Sequence, residues 1–157
     1  MIKHKIIKLT FLLSIFTASV SYAESEIEEW YLSKSGDYLV RDSVNGTLHA
    51  QLANSKSGNP EVYIFMFDSD CEGKESTITS HNPLYVNGTL VRYLQYCEGE
   101  RRYFFPATTE GRKYLFSEFK NKSFVDISTH NKSFTAIFSA KGFSKSLKEI
   151  QVNSKAI

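Results

Sequence analysis

The dipeptide Asn-Gly occurs at 45–46 and again at 87–88, each time between runs rich in β-branched and aromatic residues. A tight two-residue turn needs positive φ at both positions, which Asn and Gly tolerate best, so each pair predicts a β-hairpin. The first hairpin would join 38–40 to 47–53, and the second 84–86 to 89–97. Two such hairpins direct the chain toward an antiparallel β fold.

Other segments keep the same rhythm. Val62-Tyr63-Ile64-Phe65-Met66-Phe67 is a continuous apolar run, which predicts a central strand over 61–67 buried on both faces. Residues 77–79 predict a short edge strand before Asn82-Pro83, and Glu98-Gly99 turns the chain into a strand over 101–105 that Pro106 ends. Strands at 124–128 and 134–139 flank a polar loop around His130-Asn131. The period changes twice. Tyr114, Leu115 and Phe119 recur at helical spacing, with Thr108 or Thr109 as cap, and Phe143, Leu147 and Ile150 do so after Gly142. The expected fold class is mainly β: a small antiparallel β-sandwich or barrel of about eight strands with two short helices, near 109–121 and 143–150.

The amino-terminal segment bears on compartment. Lys3, Lys5 and Lys8 precede the apolar run 12–16, and Ser21-Tyr22-Ala23 places small residues at −3 and −1 of a cleavage site. Residues 1–23 therefore read as a secretory signal peptide. The apolar run falls short of the roughly 20 residues of a membrane span, and no stable span is expected after cleavage. The rest divides into a flexible acidic leader at 24–29, one β-rich domain at 30–152 and a tail at 153–157. Without the three lysines of the signal, the formal charge falls from +2 to −1. Net charge then gives no argument for nucleic-acid binding. The expected location is the periplasm of a Gram-negative bacterium, or secretion beyond it.

In such a compartment Cys71 and Cys97, the two cysteines of the chain, are expected to pair. The loop closed holds about 27 residues, for which chain entropy gives ~3.5 kcal/mol. Asp68, Asp70 and Glu72 surround Cys71 and oppose a thiolate, which favours the bridge over a reactive thiol. The same acids, followed by Gly73, look like half a calcium loop, but Thr79 stands where a bidentate Glu is needed. Asp68, Asp70 and Glu72 are thus weak metal candidates, a solvated acidic turn is the favoured reading, and no metal or cofactor is expected.

His49, His81 and His130 stand singly in separate elements, and neither HExxH, GxSxG nor a Gly-rich phosphate loop occurs. No catalytic residue is assigned. A small periplasmic hydrolase built on one of these histidines is the alternative to a non-enzymatic protein. Aromatics make up 14% of the chain, above ordinary usage; most should build the core, and any excess left outside would form a patch suited to gripping a partner. Arg101-Arg102 beside Tyr103-Phe104-Phe105 combines cations with rings, as single-strand nucleic-acid binders do, but the near-neutral charge speaks against that ligand. Tyr93, Tyr96, Arg101, Arg102 and Tyr103 are the expected binding face. The function expected is a disulfide-stabilised, non-enzymatic binding module acting on a protein partner in the bacterial envelope, as an inhibitor, immunity or accessory factor.

Residues 109–150 run helix, strand, loop, strand, then Phe138-Ser139-Ala140-Lys141-Gly142-Phe143-Ser144-Lys145-Ser146-Leu147. This tail resembles the C-terminal end of the invasion-associated locus B family through Gly142, Phe143 and Leu147. The resemblance implies an exported β-sandwich protein and brings no chemistry with it. Members of that family usually carry cysteines near their first tryptophan, whereas Trp30 has none nearby.

Overall fold

A computed structural model describes residues 26–154; the predicted signal peptide, the first two leader residues and the last three tail residues lie outside the described residues. The strands are β1 (Tyr31–Leu32), β2 (Tyr38–Arg41), β3 (Leu48–Asn54), β4 (Pro60–Phe67), β5 (Thr79–Val86), β6 (Thr89–Glu98), β7 (Arg101–Pro106), β8 (Phe124–Ser128) and β9 (Thr135–Ser139). Helix α1 (Thr109–Asn121) lies between β7 and β8, α2 (Phe143–Asn153) follows β9, and a 3-10 turn (Ser69–Cys71) follows β4. All strands join one antiparallel sheet in the order β1-β2-β3-β4-β7-β6-β5-β8-β9, curled into a half-barrel.

The mainly β class and both helices stand as expected, with nine strands where about eight were read. The two-residue β1 is too short to leave a pattern. Residues 77–79 do not form a separate edge strand. Thr79 instead begins β5, which continues through an irregularity between His81 and Leu84, where Pro83 cannot donate to the ladder. Beyond it, Tyr85 and Val86 pair with β8, so this end of β5 lies inside the sheet, while Thr79, Ser80 and His81 pair with β6 alone.

Strand alternation sends one set of side chains to the inner face, where both helices pack. Val40, Ala50, Leu52, Ile64, Val86, Tyr93, Ile127 and Phe138 meet Leu115 and Phe119 of α1 and Phe143 of α2. The Thr108 hydroxyl caps α1 by accepting from Gly111 N (3.0 Å). Gly111 lets the first turn of α1 sit against the sheet: a Cβ there would meet Pro106 Cβ at 3.0 Å. Gly142, at φ +82°, starts α2 where a side chain would press on the Trp30 backbone.

Trp30 ties the two ends of the sheet together. Its N–H donates to Lys141 O (2.9 Å), its Nε1 donates to Ser139 O (3.0 Å), and its ring meets Phe119 and Phe143 edge-on. Along the same side of β9, Ser43 N donates to Ile137 O (2.9 Å) and Asn45 Nδ2 to Thr135 O (2.7 Å). Glu29, the last residue of the predicted leader, pairs with Lys141 (3.4 Å).

The two Asn-Gly pairs behave differently. Asn87 and Gly88 both have positive φ and join Val86 directly to Thr89, as the hairpin rule requires. The first pair lies in a longer loop between Arg41 and Leu48 in which only Gly46 has positive φ. That loop is built around the fully buried Asp42 carboxylate. Oδ1 accepts from Val44 N (3.0 Å) and Asn45 N (2.8 Å), and Oδ2 accepts from Thr47 N (3.0 Å) and Leu48 N (3.0 Å).

Candidate binding face

The opposite set of side chains faces outward and forms a second aromatic cluster. Register places His49 of β3, Phe65 of β4 and Tyr103 of β7 side by side across the sheet. His49 stacks on Phe65 with centroids 5.0 Å apart, and Tyr103 leans on the same ring at 5.4 Å. Tyr96 of β6 stacks flat on Tyr103 (5.0 Å, 11°) and meets Phe105 edge-on, which in turn contacts Tyr63. Leu39, Phe65 and Tyr103 are buried, with Tyr31, Tyr63 and Tyr96 packed partly buried around them. Phe67 ends the row and is 59% exposed.

Arg101 lies over this cluster. Its guanidinium carbon is 4.6 Å from the Phe65 ring centre and 5.5 Å from that of Phe67, within cation–π reach. Nη1 donates to the Tyr103 hydroxyl (3.3 Å), and Asp37 Oδ2 lies 3.6 Å away. The Asp37 oxygens are engaged elsewhere, accepting from Gln51 Nε2 (2.8 Å) and Ser35 Oγ (2.9 Å). Burial, then the charges of Arg41 and Arg101, push the His49 pKa down, so His49 stays neutral near pH 7. Burial and the neighbouring Glu61 carboxylate push the Tyr63 phenol up to about 12, and burial with Glu98 raises Tyr96. The Tyr63 and Tyr96 phenols are therefore neutral hydrogen-bonding groups, and the charge lying over the cluster is the Arg101 guanidinium.

Of the five residues expected to form one binding face, Tyr96, Arg101 and Tyr103 do share the outer surface. Tyr93 and Arg102 do not. A strand turns successive side chains to opposite faces, so Tyr93 cannot share a face with Tyr96, nor Arg102 with Arg101. Tyr93 lies in the inner core, 1% exposed, and its hydroxyl has no hydrogen-bond partner among the described residues. Arg102 turns to Asp68 instead, Nε to Oδ2 at 2.6 Å. The residues missed were Leu39, Tyr63, Phe65 and Phe67. Their signal was present: alternate positions of the β4 run, 63, 65 and 67, are all aromatic.

Cys71 and Cys97 form a disulfide that fastens the 3-10 turn to β6. Asp68 caps that turn by accepting from Asp70 N (2.9 Å). The hydrogen bond from Arg102, then that from Asp70 N, holds the Asp68 carboxyl below the usual carboxylate range. Asp68 is thus engaged as cap and ion-pair partner, and Asp70 and Glu72 do not converge on it: among the described residues no group of three or more His, Cys, Asp or Glu could hold a metal ion.

The histidines stay apart. His49 belongs to the outer face, His81 Nδ1 sits 2.7 Å from Asn82 O, and His130 Nδ1 sits 3.2 Å from the Tyr85 hydroxyl. Among the described residues none of the three hydrogen-bonds a carboxylate or a Ser or Thr hydroxyl. A base oriented by an acid, or an activated hydroxyl nucleophile, is what a histidine-based hydrolytic site requires.

The class the geometry defines is a disulfide-bonded antiparallel half-barrel with helices inside and an aromatic outer face. No protein-family model, curated protein or solved structure matches the chain. Among the described residues no helix is long and apolar enough to cross a membrane.

Proposed function

We propose that this protein is an exported, non-enzymatic binding module that grips a protein partner in the bacterial envelope through its outer sheet face, as an inhibitor, immunity or accessory factor. The observation that carries the reading is the outer aromatic cluster. It spans β2, β3, β4, β7 and β6, has both helices on the other side of the sheet, and ends in the exposed Phe67. Clustered Tyr, Phe and Arg make up the energetic centre of many protein interfaces. The disulfide agrees with an oxidising compartment, as the predicted signal peptide requires.

The partner is held by side chains rather than by an added strand. Along β9, the Thr135, Ile137 and Ser139 carbonyls already accept from Asn45, Ser43 and Trp30, and Pro83 interrupts β5. The reading is tested by photo-crosslinking in envelope extracts, with a benzophenone side chain placed at Phe67 or, as control, at Val152, which is 60% exposed on α2. A discrete protein adduct from position 67 and none from 152 is expected. No adduct from 67, or the same adducts from both, overturns it.

A further inference from the structure

Resting on the outer face as the docking surface, we infer that the partner segment it takes presents a carboxylate beside an apolar side chain, the carboxylate on the Arg101 guanidinium and the apolar group against Phe67. A guanidinium carries five N–H donors in a rigid plane. Arg101 uses one in a 3.3 Å bond to the Tyr103 hydroxyl, and its carboxylate neighbour Asp37 stands at 3.6 Å, beyond good hydrogen-bond distance. Meanwhile its guanidinium carbon lies over the Phe65 and Phe67 rings, 4.6 and 5.5 Å from their centres. A planar fork held over two rings, with donors left unused, matches the two oxygens of a carboxylate.

The neighbours select among anions. Asp37 beside Arg101, and Glu61 and Glu98 among the outer-face phenols, oppose a dianionic phosphate far more than a single carboxylate. Phe67 lies across the β4–β7 pair from Arg101 and offers a ring that loses water only when an apolar group covers it. Charge and greasy surface are thus adjacent on one patch, as in an interface hot spot.

The test is an amide-shift titration of the isotopically labelled exported protein with two blocked peptides, acetyl-Glu-Phe-Glu-Phe-amide and its Gln counterpart. Perturbations should centre on Phe67, Arg101 and Tyr103, and the Glu peptide should bind about three- to fivefold tighter. Arg101→Gln should erase that preference, and Arg101→Lys, which keeps the charge but loses the fork, should retain part of it. Equal affinity of the two peptides for the unmodified protein overturns the carboxylate inference and leaves the face standing as a docking surface. A larger response at Arg101 to inorganic phosphate than to the Glu peptide overturns it as well. No perturbation of the face by either peptide removes both readings.

Discussion

The two faces of this sheet reach similar burial by different means. On the inner face Phe119 and Phe143 are 1% and 0% exposed because two helices close over them. On the outer face Phe65 is also 1% exposed, with His49 stacked on its ring and Arg101 lying across it. Inner burial is three-dimensional packing that a partner cannot reach without unfolding the helices. Outer burial is a tiling of long side chains over one another, and long side chains change rotamer on the fast timescales of surface motion. The inner cluster is therefore closed off by the helices, while the outer one is covered only by its own side chains.

The contrast is broken most directly by truncation. Phe143→Ala removes a ring held between Trp30, Phe116 and Phe119 and should cost about 3–5 kcal/mol in urea unfolding. Replacing both Cys71 and Cys97 by Ser should cost about 2–4 kcal/mol, because the bridge alone limits the unfolded loop there. Phe65→Ala, with His49 and Arg101 free to settle into the gap, should cost about 2–3 kcal/mol. If Phe65→Ala proved as costly as Phe143→Ala, the outer cluster would be a second core and the division drawn here would fail.

A single hydroxyl sharpens the same contrast at a smaller scale. The Tyr93 hydroxyl has no partner among the described residues, and burial on the inner face keeps its phenol far above the ordinary range. An unsatisfied buried hydroxyl is a liability, so Tyr93→Phe should raise stability by about 1 kcal/mol. On the outer face Tyr103→Phe deletes the acceptor of the Arg101 bond and should lower it by about 0.5–1 kcal/mol. Thermal unfolding of the two variants should move in opposite directions.

What could be read from sequence follows from how locally each feature is determined. The hairpin at 87–88 was legible because its geometry depends on the φ preferences of Asn87 and Gly88 alone. The loop at 45–46 was not, because the Asp42 carboxylate overrides the turn rule by gathering four backbone N–H groups from residues after it. Gly111, a poor helix former in the first turn of α1, owes its place to the sheet beneath it, where a Cβ would meet Pro106 Cβ at 3.0 Å. The cysteine pairing was legible because the chain offers one possible pair. The outer aromatic face was half legible. Clustering along the chain picked out residues 93–103, yet the face is formed by alternation within strands and by register between them, and β2 to β4 are distant in sequence from β7.

The smallest effect expected separates the faces by pH. His49, on the outer face, has its pKa lowered from 6.5 by burial first and then by Arg41 and Arg101. A histidine whose folded pKa lies below its unfolded value binds fewer protons folded than unfolded in the interval between the two. Its contribution to stability is thus present above 6.5 and is lost as pH falls from there toward the folded value. Asp68, at the Arg102 corner, is likewise depressed, but from 3.8, so its contribution is present above 3.8 and goes only as pH falls below that. Stability measured by urea unfolding should therefore begin to decline as pH drops through 6.5. His49→Gln should flatten that first decline and leave the acid limb intact, and Asp68→Asn should do the reverse. If both variants changed only the acid limb, the outer histidine would be as solvated as a free imidazole, and the tiling argued for that face would be wrong.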